Sequence, residues 1–187
     1  LDTDLNENHN NDRIISLRLY SGDKNHRILQ EAILGFGGLD LLNILGFKNI
    51  KTYHMNEGHC SFLTLSLLKK YNGDHDKVKS MCHFTTHTPV DAGHDHFSID
   101  RCRTLLDGLI PSELPLPSWK KKNRLHMTEL GLHFSRSANG VSKLHGKIAQ
   151  DQFPKFNINY VTNGVYHPFW LGRSFKALFD ERVPGWQ

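Results

Sequence analysis

The residues best suited to chemistry fall in three short polar clusters. These are Asn56-Glu57-Gly58-His59, then Thr85-Thr86-His87-Thr88-Pro89 followed by Gly93-His94-Asp95, and Thr162-Asn163-Gly164-Val165. In the first cluster an amide and a carboxylate can hydrogen-bond to hydroxyl groups, and Gly58 lets the backbone come close to a ligand. Asn56 could equally do no more than cap a helix. The second cluster carries hydroxyls but no core-forming side chain, and His87, His94 and His96 share its loop. Thirteen histidines in 187 residues raise the question of a metal. His54 and His59 stand five apart, and His94-Asp95-His96 is rich in ligand atoms. There is no HExxH, and a histidine along a strand shares a metal awkwardly with one that opens a helix, so no metal site is expected. Gly35-Phe36-Gly37-Gly38 has neither the Lys-Ser/Thr of a P-loop nor the spacing of GxGxxG. Asn139-Gly140-Val141-Ser142 could open a helix and offer backbone N–H groups, or form a turn.

The elements that must position these clusters are legible in the apolar pattern. Alternation over residues 14–20 predicts a strand, broken by Ser21-Gly22-Asp23. Apolar spacings of three and four over 26–45 predict a helix. Gly35, Gly37 and Gly38 interrupt it for close packing or beside a ligand, and Gly46 stops it. A strand over 50–55, a helix over 58–71 and a buried strand over 78–85 follow, with a polar loop over 86–95. Pro111, Pro115 and Pro117 make 111–122 a linker or excursion. Helices over about 127–137 and 141–150 and a strand over 156–161 complete the series. Strands alternating with helices predict an α/β fold with a parallel sheet. Ligands of such sheets bind beyond the carboxyl ends of the strands, where all three clusters fall.

Composition bounds the rest. A chain of this length can bury roughly 70% of its unfolded surface. With 38% apolar and 22% charged residues it lies in the globular range. The net charge of +4 is too mild for a nucleic-acid footprint. The run Lys120-Lys121-Lys122-Asn123-Arg124 reads as a solvated loop. No stretch of 18 apolar residues spans a membrane and no leader is visible. Cys60, Cys82 and Cys102 show no pairing pattern and read as reduced thiols, which suits the cytoplasm. Residues 1–12 are expected to be disordered or a loop. A chain that opens on Leu1 and stops at Pro184-Gly185-Trp186-Gln187 is expected to be processed, tagged or partial.

Five segments in order resemble the α-glucan phosphorylases of bacteria and archaea. Leu19-Tyr20-Ser21-Gly22-Asp23 with Arg27, Gln30-Glu31 and Gly35-Phe36-Gly37-Gly38 is similar to their LYGGD…R..QE..LGIGG stretch. Tyr53-His54-Met55-Asn56-Glu57-Gly58-His59-Cys60-Ser61-Phe62 resembles YHLNEGHSAF, and 84–95 resembles FTTHTPVPAGHD. Residues 137–146 resemble VNGVSRLHG, and 161–165 VTNGVH. Ser21, Asp91 and the pair Cys60-Ser61 depart from these motifs, Asp91 standing in place of a proline. The resemblance implies a Rossmann-like part of the N-terminal domain of a two-domain, GT-B-type glycosyltransferase. It covers residues 13–172, with 173–187 a helical tail toward a second domain. The implied reaction moves a terminal glucose of an α-1,4-glucan to orthophosphate, giving glucose 1-phosphate. Pyridoxal phosphate is the implied cofactor, on a lysine that no lysine of this chain matches, so the isolated chain is expected to be inactive. By the same comparison His87 contacts the transferred glucose. Asn56, Glu57, His59, Thr88 and Asn163 belong to the sugar cleft, and Asp23 to a loop gating it. No nucleic acid or membrane partner is implied, and an oligomer is possible. A glycogen-synthase-like transferase and a non-catalytic carbohydrate-binding remnant are the alternatives.

Overall fold

The computed structural model of the protein describes residues 1–20, 22–116 and 123–186. Ser21, Lys120-Lys121-Lys122 and the 117–122 end of the expected linker lie outside the described residues. Among the described residues there are six strands: β1 (Tyr53–Asn56), β2 (Cys82–Thr85), β3 (His96–Ser98), β4 (Arg124–His126), β5 (Ser137–Gly140) and β6 (Ile158–Tyr160). Four of them form a wholly parallel sheet in the order β1-β2-β5-β6. The α/β expectation therefore holds. β3 and β4 make a separate antiparallel pair.

The long helix is real, and its glycines explain its shape. It runs as α-helix over Lys24–Ala32, widens to a π turn over Ile33–Gly37, and resumes over Gly38–Ile44. A π turn accommodates one extra residue per turn and often sits near functional sites. A Cβ on Gly35 would lie 2.6 Å from the Leu63 backbone nitrogen and 2.6 Å from the Phe62 Cβ. The glycine thus lets this helix touch the next one, Phe62–Lys70, where Phe36 stacks on Phe62 at 5.4 Å. Gly46 ends the helix at φ +83°. Its N–H reaches the Asn43 carbonyl and the Phe47 N–H reaches that of Leu42, the paired bonds of a Schellman stop.

Other expectations need correction. Residues 14–20 are turns, not a strand. Their N–H groups find local acceptors, as in Ile15 to Asp12 at 3.1 Å and Leu17 to Ile14 at 3.2 Å. Only Ile15 is buried, while Ile14, Leu17, Leu19 and Tyr20 are exposed, so alternation here marks no sheet face. The strand expected over 78–85 begins at Cys82. Asp74 caps a helix over His75–Met81 by accepting from the Lys77 N–H, which claims Val78 and Met81 for a helical face. The 111–116 part of the expected linker is anchored, with Leu114 and Leu116 buried in the core while Ser112, Glu113 and Pro115 are exposed. Asn139 and Gly140 lie in β5 instead of opening a helix. Ser142 provides that entry, accepting from the His145 N–H at the start of Lys143–Gln152. A helix also covers Arg173–Arg182. Among the described residues no helix is long and apolar enough to cross a membrane.

Candidate functional site

The carboxyl ends of β1 and β2 open into a cavity of about 570 Å³. That size lies within the range of small-ligand sites. β1 delivers Asn56, Glu57, Gly58 and His59, and the loop after β2 delivers His87, Thr88, Gly93, His94 and Asp95. Tyr20, Arg27 and Thr128 complete the wall. Two of the three polar clusters therefore converge. The third does not: Asn163 is exposed and absent from the lining. β6 is three strands from β1, roughly 14 Å across a sheet, which puts its end beyond this cavity. Asp23 is also outside the lining. It caps the helix at Lys24, accepting from the Asn25 and His26 N–H groups at 2.9 and 3.0 Å.

Glu57 organises the site. Its φ of 74° with ψ 169° is a region open almost only to glycine, at a cost of about 1–3 kcal/mol. The conformation turns the chain out of β1 and aims the carboxylate at the neighbouring loop. One oxygen accepts from the Gly58 N–H at 3.1 Å and from the Thr86 hydroxyl at 3.4 Å. The other accepts from the His87 N–H at 2.6 Å and the Thr88 hydroxyl at 2.8 Å. Glu57, not Asn56, is thus the local cap. The carboxylate fixes the loop that carries His87, whose side chain stays exposed at the cavity. Gly58 is closely packed: a Cβ there would lie 3.0 Å from the Thr128 hydroxyl and 3.1 Å from its backbone nitrogen.

The opposite wall is ionic. Arg27 donates to Glu31 at 2.9 Å and to Asp95 at 2.8 Å, and lies 5.2 Å over the Tyr20 ring. Two carboxylates share one guanidinium, and Glu31 is almost wholly buried. Burial first, then the Asp95 charge, push the Glu31 carboxyl up to about 9 despite Arg27. Burial thus favours the protonated form of Glu31, while Arg27 and Asp95 line the cavity itself. Burial also pushes the His59 imidazole down, more than Glu57 raises it. His94 bonds Thr128 through Nδ1 at 2.9 Å, while its Nε2 is buried without a protein partner. The pairing of Arg27 with Glu31 is readable as an i,i+4 spacing. That Asp95 joins them from 68 residues away is not.

Burial pushes the Cys82 and Cys102 thiols up to about 12, and all three cysteines are free. The cavity is lined by imidazoles, hydroxyls, an amide, carboxylates and the Arg27 guanidinium, a set suited to binding a polyhydroxylated ligand.

No family model matches the chain. Curated relatives do. It is 34% identical to the maltodextrin phosphorylase of Thermococcus litoralis over 203 residues, which take in 98% of this chain and 24% of that protein. It is 32% identical to the glycogen phosphorylase of Mycobacterium tuberculosis over 215 residues, 97% of this chain and 25% of that one. The glycogen phosphorylase of Aquifex aeolicus is 32% identical over 210 residues, with 97% and 29% covered. The chain therefore spans about a quarter of the length of these relatives, and its similarity to them runs over nearly all of its own residues.

Proposed function

We infer that this chain belongs to the α-glucan phosphorylases and forms the glucan-facing wall of an active site that moves a terminal glucose from an α-1,4-glucan to orthophosphate. The bond from the terminal anomeric carbon to the glucan oxygen breaks, and a bond to a phosphate oxygen forms, giving glucose 1-phosphate. The observation that carries this reading is the Glu57 carboxylate holding the His87 loop open onto a polar cavity at the sheet's carboxyl edge. The similarity to glycogen and maltodextrin phosphorylases supports it. His87 is the residue set to contact the glucosyl unit. Asn56, His59 and Thr88 supply further hydrogen-bonding groups, and Glu57 acts chiefly by positioning. Asp23 and Asn163 serve in this reading only at the approaches to the cavity.

Pyridoxal phosphate, the cofactor the family implies, requires a lysine amine for its Schiff base. The cavity lining contains none, so the residues here do not fit it and no step is drawn through it. A second, facing domain of a GT-B-type enzyme is the proposed source of that lysine and of the phosphate site, with 173–187 leading toward it. A cytoplasmic location is part of this proposal, in keeping with three free thiols. The test is an assay of the polypeptide carrying this segment with maltodextrin and orthophosphate. Release of glucose 1-phosphate is expected. Glucan extension from a sugar nucleotide without phosphorolysis would favour the synthase-like alternative, and glucan binding without either reaction the non-catalytic one.

A further inference from the structure

We propose that Asp91, His96 and His126 form a binding site for a divalent transition metal, beside the glucan cavity and independent of its function. β3 and β4 set His96 directly opposite His126, with the ring centroids 4.2 Å apart. Directly opposed residues share one face of a strand pair, so the backbone itself brings the two imidazoles together. Asp91 opens the short turn Asp91–Gly93 that leads into β3. One ligand atom from each of the three lies within 4.8 Å of the others.

Zinc holds nitrogen and oxygen donors at 2.0–2.2 Å, so neighbouring donors stand roughly 3.4 Å apart. Asp91 is exposed, and rotation of its side chain closes much of the difference without moving the strands. His126 caps the helix over Met127–His133, accepting from the Glu129 N–H at 3.5 Å, and its ring packs edge-on against Phe153 at 5.5 Å, which holds the imidazole beside His96. Two imidazoles and one carboxylate suit zinc, nickel or copper better than calcium or magnesium, and water would fill the fourth position. Lys24 and Arg124 lie near enough to act on His96 and oppose any cation, which favours moderate affinity. Asp91 stands where the motif that this loop resembles has a proline. A metal here would tie the Asp91 turn to β3 and β4, and with it the loop bearing Thr88, His94 and Asp95.

The test is zinc binding by the full chain after chelator treatment, read by elemental analysis of gel-filtered protein, by cobalt(II) visible absorption and by thermal unfolding. One zinc per chain, a four-coordinate cobalt spectrum and a raised Tm are expected. Asp91→Asn should weaken binding at least about tenfold, since loss of a ligand costs no less than loss of a group supporting one. His96→Gln should abolish the cobalt spectrum, and His9→Gln, at an exposed histidine elsewhere, should change nothing. Asp91→Asn alters an exposed side chain, and its metal-free Tm checks that it folds. No bound zinc in the unaltered chain, or binding unchanged in both Asp91→Asn and His96→Gln, would overturn the site.

Discussion

Glu57 bears a backbone conformation that few residues tolerate and answers it with four accepted hydrogen bonds. Glu57→Gln keeps the shape but turns one acceptor into a donor facing N–H and hydroxyl donors. We expect a loss of about 1–3 kcal/mol in unfolding free energy, measurable by denaturant titration. Glycan use should fall with it, because the His87 loop loses its anchor. Glu31 gives a second prediction. Its carboxyl is raised in the folded chain from an ordinary 4.5 to about 9. Stability from burying the neutral acid is therefore complete below the unfolded pKa and is lost as pH rises through the folded one. Tm should fall between pH 6 and 9 in the unaltered chain, and Glu31→Gln should flatten that decline. Equal slopes in both proteins would show that Glu31 is ionised throughout. The types and order of Asn56, Glu57, His59, His87 and Thr88 were readable in the sequence as a site. The inward turn of the Glu57 carboxylate was not, because it depends on a positive φ and on partners thirty residues away.

Among the elements, the glycines of the long helix separate packing from propensity. Gly35 faces backbone at 2.6 Å, whereas Gly38 has open space where a Cβ would stand. Gly35→Ala should cost about 1–3 kcal/mol or more through overpacking. Gly38→Ala should raise stability by up to about 1 kcal/mol through helix propensity. Paired thermal melts decide this, and equal effects would mean that Gly35 is not at a helix contact. Helical periodicity survived translation into structure here because a long amphipathic run has one reading. Short runs did not fare so well. Residues 14–20 alternate like a strand but have no strand beside them, and 78–81 joined a helix because Asp74 capped it. β3 and β4 went unseen, since three residues each carry too little period. β5 was hidden by its polar sequence, although Asn139 is buried there and accepts from Thr85 at 3.0 Å and bonds His83 at 2.7 Å.

For the molecule as a whole, the parallel order β1-β2-β5-β6 decides which loops can meet. Alternation of strands and helices announced a parallel sheet, but strand order was not legible, and so neither was the placing of Asn163 outside the lining that the other two clusters share. In the proposed function the chain supplies one wall of a cleft. Pyridoxal phosphate added to the purified chain and reduced with borohydride should label no single lysine stoichiometrically, and one such lysine accompanied by phosphorolysis would show that the chain is catalytically sufficient. The central claim is that the glucosyl unit is met at the end of β2 by His87. It is tested by the kcat for phosphorolysis of the polypeptide carrying this segment, with His87→Ala beside Asn163→Ala. Loss of one preorganised contact to the transition state is worth about 2–4 kcal/mol, so His87→Ala should lower kcat roughly 30- to 1000-fold with little change in KM. Asn163→Ala should lower it far less, and unchanged turnover in His87→Ala would contradict the account.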